Sequence, residues 1–442
     1  MRNMSRVAFI FAVFGLAGGL ADAQNLPVAS PASEGFSPER LAQIRTVLKK
    51  EVDADHMPGA VIMIARDGKL VYSEAVGYRD KAAGKPIGKE AIFRIYSMTK
   101  PFVSVVTMML VEEGLLQLAD PVSKYLPGFA EMKVLATDKD GNATTEPAKR
   151  PITIQDLLRH TAGYDYGEAS AIPEIKKVYA ELGLYHPEGT PYDTRGMTAE
   201  EKVAAYAKVP LTAQPGSNWK YSLGTDVLAR VLEAATGKRL GDLLAERLFR
   251  PLNMVDTGYS VPASNVPRVA EPLATNPLTG KPNDRLYDVT TPPANDPGDS
   301  GSVSTAADYL RFCQMLLNDG ELDGKRYLSP TTIRLMTSDQ LGARTTLPLE
   351  PGELLMGVQG YTFGLGFMVR RGAGLASVPG TEGEFLWAGA AGTFFWIEPK
   401  ERLAVVVMAQ TPGLIRQYYR RMFKQIVEQA IVSDAPAPAR HP

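Results

Sequence analysis

The sequence predicts an α/β protein of the α+β type: an antiparallel sheet flanked by helices and built from both chain ends, with an all-helical domain inserted between them. Three observations carry this expectation. Apolar strand patterns flank short polar turns at 60–75 and again at 392–409. A helical apolar period follows the second pair, and the long middle of the chain holds several more helical patterns.

Taken in order, 37–51 reads as a helix, and the period then changes. Residues 60–65 and 70–75 flank Arg66-Asp67-Gly68-Lys69, whose Asp-Gly supplies the positive φ angles of a tight hairpin turn. Segments 102–114, 154–160, 199–207 and 226–236 are expected helices. Segments 132–151 and 164–191 show no readable period, and loops that long in a compact domain are commonly functional or mobile. A helix opened by Ser304 and Thr305 and closed near Gly320 puts Tyr309, Phe312, Cys313, Leu316 and Leu317 on one apolar face, so Cys313 reads as a buried packing residue. Residues 392–397 and 402–409 flank Glu398-Pro399-Lys400-Glu401 as a second antiparallel pair. Ile415, Tyr418, Met422, Phe423, Ile426 and Ala430 then recur at helical spacing. No internal repeat is visible.

Composition narrows the function classes. The chain has 442 residues, with 48 Lys and Arg against 49 Asp and Glu, 45% hydrophobic and 22% charged. A net charge of -1 provides no long-range field for phosphates, and no local basic patch compensates, so a nucleic-acid partner is not expected. Glycine and proline make up about 17% of the chain, below the roughly 25–30% that signals low complexity. One cysteine excludes both an internal disulfide and a cysteine-rich zinc site. At the N-terminus, Arg2 and Arg6 precede the apolar run 7–20, and Ala21-Asp22-Ala23 follows. That order predicts a signal peptide, 1–23, cleaved before Gln24, and therefore export to the periplasm or medium without a stable membrane anchor. The alternative, an uncleaved anchor, needs about 20 apolar residues, more than this run holds.

The segment Ile95-Tyr96-Ser97-Met98-Thr99-Lys100-Pro101 precedes an almost wholly apolar helix. Residues three apart on a helix share a face, so Ser97 and Lys100 can meet where that helix begins. Pro101 is tolerated only in the first turn, which places the helix start near Ser97. A serine hydroxyl needs a base to act as a nucleophile, a desolvated lysine can be one, and a helix N-terminus offers backbone N–H groups to an oxyanion. By itself Ser-x-x-Lys is weak, since on the order of one chance match per chain is expected. A second match, Ser217-Asn-Trp-Lys220, follows the turn Gln214-Pro215-Gly216 and opens no apolar helix. The alternative reading of either match is a helix cap with a solvated lysine.

In context, the chain resembles the serine beta-lactamase and penicillin-binding-protein superfamily, most closely the class C-like branch that includes family VIII carboxylesterases. Ser97-Met-Thr-Lys100 looks like the first motif and Tyr221-Ser222-Leu223 like the second, Tyr-x-Asn. Trp387-Ala388-Gly389 stands where Lys-Thr-Gly would be. The segments 157–163, Leu-Leu-Arg-His-Thr-Ala-Gly, and 301–310 are also similar to family segments, and the likeness spans about 37–432. Residues 433–442 repeat Ala-Pro without pattern and read as a disordered tail. The likeness implies two domains, 24–97 with 300–432 as the α/β part and 98–299 as the helical part. It also implies Ser97 as nucleophile, Lys100 and Tyr221 as the proton-transfer pair, with the base left open between them, and the N–H groups of Ser97 and Ala390 as oxyanion hole. Trp387, Ala388, Gly389 and Leu223 would line the substrate site.

Two departures bear on substrate. Leu223 replaces an asparagine, and Trp387 replaces a lysine that would meet a substrate carboxylate. Each lost charge-assisted hydrogen bond is worth about 1.5–3 kcal/mol. An anionic lactam loses most, whereas a neutral ester would gain an indole wall; the alternative for Trp387 is a strand residue in a core, which still leaves the lysine missing.

Other signals are set aside. The four histidines, 56, 160, 186 and 441, accompany no Gly-x-Ser-x-Gly, which disfavours a nucleophile elbow with a histidine base; His160 reads as a cap or packing residue. Asp138-Lys-Asp-Gly-Asn142 suggests a calcium loop, but its glycine is misplaced and its twelfth position is Lys149. Neither metal nor organic cofactor is expected. Tyr164, Tyr166, Tyr179, Tyr185 and Tyr192 crowd one unassigned stretch, which either walls the substrate pocket or packs as a surface loop. The expected activity is hydrolysis of a small-molecule carboxylic ester. The alternatives are a beta-lactamase or D-amino-acid peptidase, an acyltransferase, and a non-catalytic ligand-binding protein. Oligomeric state leaves no sequence signal.

Overall fold

The computed structural model describes residues 26–166, 170–186, 190, 193–283 and 285–433. The expected signal peptide and all but the first residue of the expected tail lie outside the described residues. From the N-terminus run α1 (Pro38–Asp53), β1 (Gly59–Arg66), β2 (Lys69–Asp80), β3 (Lys85–Pro86), β4 (Phe93–Arg94) and α2 (Thr99–Glu112). The middle holds β5 (Lys133–Thr137), β6 (Ala143–Pro147), α3 (Ile154–Leu158), α4 (Pro173–Glu181), α5 (Ala199–Tyr206), α6 (Gly224–Thr236) and α7 (Leu240–Leu244). The chain then forms β7 (Val303–Ser304), α8 (Ala306–Leu317), β8 (Glu321–Leu322), β9 (Lys325–Arg326), α9 (Pro330–Met336) and α10 (Pro351–Met356). It ends with β10 (Tyr361–Phe363), β11 (Met368–Arg370), β12 (Phe385–Ala388), β13 (Phe394–Glu398), β14 (Leu403–Ala409) and α11 (Ile415–Glu428).

Eight strands form one antiparallel sheet in the order β10-β11-β12-β13-β14-β1-β2-β3. The two chain ends meet at its centre, where β14 pairs with β1 from Ala60↔Ala409 to Arg66↔Leu403. Every residue of both strands is buried, so both faces of the sheet are covered. α8 packs across β13, β14 and β1, while α1 packs on β1 and β2 and against α11. The expected hairpin turn holds: Asp67 and Gly68 take φ 55 and 75. Ser37 caps α1 by accepting the Arg40 N–H, and Thr305 caps α8 by accepting that of Asp308. Cys313 is buried on α8, as its helical face predicts.

The middle is not all-helical. Within 132–151, β5 and β6 pair from Lys133↔Pro147 to Thr137↔Ala143. The hairpin escaped the sequence reading because every residue of β6 is exposed and only Val134 of β5 is buried, leaving no apolar alternation to see. Its tip explains the calcium-like residues: the Asp138 carboxylate accepts the N–H groups of Asp140 at 2.9 Å and Asn142 at 2.8 Å. Segment 164–191 likewise contains α4, which buries Ile175 and Tyr179 one turn apart.

Behind the sheet, Lys424 of α11 is fully buried among carboxylates. Its Nζ lies 3.0 Å from Glu384, 3.3 Å from Glu398 and 3.7 Å from Glu428. Burial holds the Glu384 carboxyl up at about 7 despite the ammonium beside it. Lys424→Met should therefore destabilise the fold by about 3–5 kcal/mol at pH 8, because it strands buried acids. Urea unfolding checks this, and the loss should shrink at pH 5, where the stranded carboxyls take up protons.

Candidate active site

Ser97 stands at a corner of the backbone. β4 pairs with β7, Phe93↔Ser304 and Arg94↔Val303, which fixes the approaching chain. Tyr96 then takes φ 46, a left-handed conformation that a bulky residue keeps only when its surroundings hold it there. Tyr96–Met98 form one 3₁₀ turn, and α2 begins at Thr99, so Ser97 lies just before the α-helix and not within it. Lys100, in the first turn of α2, is only 2% exposed, and its Nζ reaches to 3.3 Å from Ser97 Oγ. Tyr221, in the loop leading into α6, brings its hydroxyl to 2.5 Å from the same oxygen. Lys100 Nζ also lies 4.8 Å from the centre of the Tyr221 ring. Lys100, one turn away, and Tyr221, remote in sequence, thus meet at the Ser97 hydroxyl.

Two further residues complete the surroundings of Lys100. Its Nζ donates to the Asp299 carbonyl at 2.7 Å and to the Tyr166 hydroxyl at 2.9 Å. Tyr166 in turn donates to the Asp299 carboxylate at 2.7 Å. Burial and the Asp299 charge push the Tyr166 phenol well above its usual range, so it remains a donor. Asp299 arrives here because β7 returns the chain beside β4; Thr99 Oγ1 and Ser302 Oγ meet at 2.6 Å, and the Ile95 N–H bonds the Ser302 carbonyl at 3.1 Å. Within the tyrosine-rich stretch, it is Tyr166 that accepts a hydrogen bond from Lys100. Tyr164 is buried and donates to the Tyr206 carbonyl, Tyr179 donates to the Asp165 carbonyl, and Tyr192 lies outside the described residues.

His160 also reaches the site, though the sequence reads it as a cap or packing residue. It takes φ 57, and its ring meets Tyr221 edge-on at 4.8 Å, while its carbonyl accepts the Lys220 N–H at 2.9 Å. Burial, with the Lys100 charge second, holds its imidazole well below 6.5.

The third motif borders the same point. Trp387 and Ala388 end β12, and the Trp387 ring lies 5.2 Å from Tyr221 and 5.3 Å, edge-on, from Phe363. At 1% exposure the indole is covered by its aromatic neighbours, so the expected substrate wall is not an open surface here. A Cβ on Gly389 would come within 2.4 Å of the Ile95 carbonyl and 2.3 Å of Thr393 Oγ1, so only glycine fits against the segment before Ser97. Ala390 is exposed in the turn that follows. Leu223 is buried at the N-cap of α6, two residues beyond Tyr221. The second Ser-x-x-Lys is accounted for locally: Ser217 Oγ donates to the Gln214 carbonyl at 2.7 Å, and Lys220 pairs with Asp165 at 2.5 Å. Among the described residues no cluster of His, Cys, Asp and Glu could hold a metal ion.

The beta-lactamase family profile matches residues 44–423. The chain belongs to the beta-lactamase family. Protein Rv1367c of Mycobacterium tuberculosis is 35% identical over 383 residues, covering 82% of this chain and 88% of its own. Esterase EstB of Burkholderia gladioli is 29% identical, over 84% of this chain and 90% of its own. Among solved structures, EstCE1, described as a hydrolase with promiscuous acyltransferase activity, superposes with a TM-score of 0.72 at 27% identity, covering 89% of this chain and 99% of that one. Family membership fits the order of the three motifs and the sheet built from both chain ends.

His160 gives a testable pH dependence. The unfolded histidine binds a proton near 6.5 and the native one does not, so stability falls as pH drops below 6.5, by up to about 1.4 kcal/mol per pH unit. Urea midpoints at pH 7.5 and 5.0 should differ more for the wild type than for His160→Gln.

Proposed function

We propose that the protein is an exported serine hydrolase that cleaves carboxylic esters through an acyl-enzyme on Ser97. The observation that carries this reading is the single hydroxyl held 2.5 Å from a phenol and 3.3 Å from a buried amine. Ser97 Oγ attacks the ester carbonyl while Lys100 and Tyr221 take its proton. The two interact too closely to be assigned separate roles, and they act as one proton-transfer unit. Tyr166 and Asp299 fix the amine, since two of its hydrogen bonds go to them and leave its third direction for Ser97. The tetrahedral oxyanion is received by the N–H groups of Ser97 and Ala390. Breaking the bond to the alcohol, which leaves with the stored proton, gives the acyl-enzyme; water, activated by the same pair, releases the acid.

The ester reading is supported by the family, by the esterases among its relatives and by the missing third-motif lysine. A lactam carboxylate would find no ammonium at position 387. The similarity to EstCE1 makes transfer of the acyl group to an alcohol the second reading. Export rests on the two arginines and the apolar run 7–20, with cleavage before Gln24.

The purified protein should hydrolyse a short p-nitrophenyl ester with a higher kcat/KM than a cephalosporin. Ser97→Ala should abolish this activity, while Lys100→Ala and Tyr221→Phe should each lower kcat/KM by about 10²–10⁴ without loss of folding, as circular dichroism can verify. Undiminished hydrolysis by Ser97→Ala would refute the assignment.

A further inference from the structure

Arg420 on α11 is 3% exposed, and among the described residues no carboxylate pairs with it. Its guanidinium is spent on two backbone carbonyls: Leu355, in α10, at 2.8 Å, and Gly389, directly after β12, at 2.7 Å. Burial is severe enough to hold the group well below its ordinary range, and Arg416, one turn earlier on the same helix, adds repulsion. Neutral donors could satisfy two carbonyls without this penalty. A buried cation with no counter-ion is costly, so its position needs a reason.

The reason lies in the peptide unit it holds. The carbonyl of Gly389 and the N–H of Ala390 belong to one planar trans peptide, so they point in opposite directions. A guanidinium bound to that carbonyl fixes the plane, and with it the direction of the Ala390 N–H. Hydrogen bonding at the oxygen also polarises the peptide and strengthens the N–H as a donor. The rest of the turn is held too: the Gly389 N–H bonds the Thr393 carbonyl at 2.8 Å, and Thr393 Oγ1 donates to the Ile95 carbonyl at 3.3 Å. Tyr221 lies within electrostatic reach of Arg420.

We propose that Arg420 is the positioning residue of the oxyanion hole: it orients and polarises the Gly389–Ala390 peptide from the side opposite the substrate. This rests on the proposed acyl-enzyme chemistry, and the test separates the two. The probe is a matched pair, a p-nitrophenyl ester and its thionoester, whose sulfur gains little from N–H donors in the transition state. Arg420→Lys keeps a charge but cannot bridge both carbonyls, and Arg420→Gln removes the charge. Each should lower kcat more than KM for the ester, and should lower the ester-to-thionoester ratio of kcat/KM at least fivefold, with Lys the milder change. Because the ratio does not depend on how much enzyme is folded, partial unfolding cannot imitate the effect. As a second readout, the acyl-enzyme carbonyl band in the infrared should move to higher wavenumber in both variants. Equal losses on ester and thionoester with an unmoved carbonyl band would overturn the role of Arg420 while leaving the esterase reading intact. Absence of ester hydrolysis by the wild type would overturn both.

Discussion

A lysine side chain inside a protein is tolerable only when its nitrogen is fully engaged, and this constraint organises the structure around Lys100. The amine is 2% exposed and meets the Asp299 carbonyl, the Tyr166 hydroxyl and Ser97 Oγ. Each partner comes from a different part of the chain. Ser97 and Lys100 are set by the turn into α2, Asp299 by the return of the chain at β7, and Tyr166 by a loop of the middle segment. Losing Tyr166 or the Asp299 carbonyl would leave the buried amine short of a partner, so the geometry of the site depends on these hydrogen bonds.

The large sheet supplies the other half of the site without entering it. β14 and β1 lie at its buried centre, and β13 and β12 extend from them to the third motif. Gly389 then presses against the Ile95 carbonyl, close enough that no side chain could be added. From the far side of β12, α11 reaches the same turn through Arg420. The segment before the proposed nucleophile and the turn carrying the proposed oxyanion donor are thus packed against each other, which allows both donors to be aimed before substrate arrives.

The sequence revealed the sheet and the site in different ways. Strands β1, β2, β13 and β14 were legible because their apolar runs flank turns with definite chemistry, and α8 and α11 because their apolar faces repeat at helical spacing. β5 and β6 were not, since a hairpin lying exposed on the surface carries no burial pattern. Ser97, Lys100 and Tyr221 stand out only as motifs in order; nothing about each residue alone distinguishes it, as the second Ser-x-x-Lys, occupied by a turn and an ion pair, shows. Asp299 was invisible, because it acts on Lys100 chiefly through a backbone carbonyl, and any residue has one. Tyr166 was one tyrosine in a crowd, and only the loop geometry separates it from Tyr164 and Tyr179. Nothing in the sequence marks Arg420 out from the other charges of α11, yet it is buried. The tryptophan at 387 was legible as a missing lysine and as either a substrate wall or a core strand residue; its cover by Tyr221 and Phe363, remote in sequence, could not be read from the chain and favours the second.

The proposed chemistry depends on a covalent bond forming at one atom. Incubating the protein with a slowly hydrolysed acylating or phosphonylating reagent, followed by intact mass and peptide mapping, tests it most directly. A single adduct on the peptide carrying residue 97 is the predicted result, together with its disappearance when that serine is replaced by alanine. An unlabelled wild type that still binds the reagent, or a label on Ser217, would contradict the account.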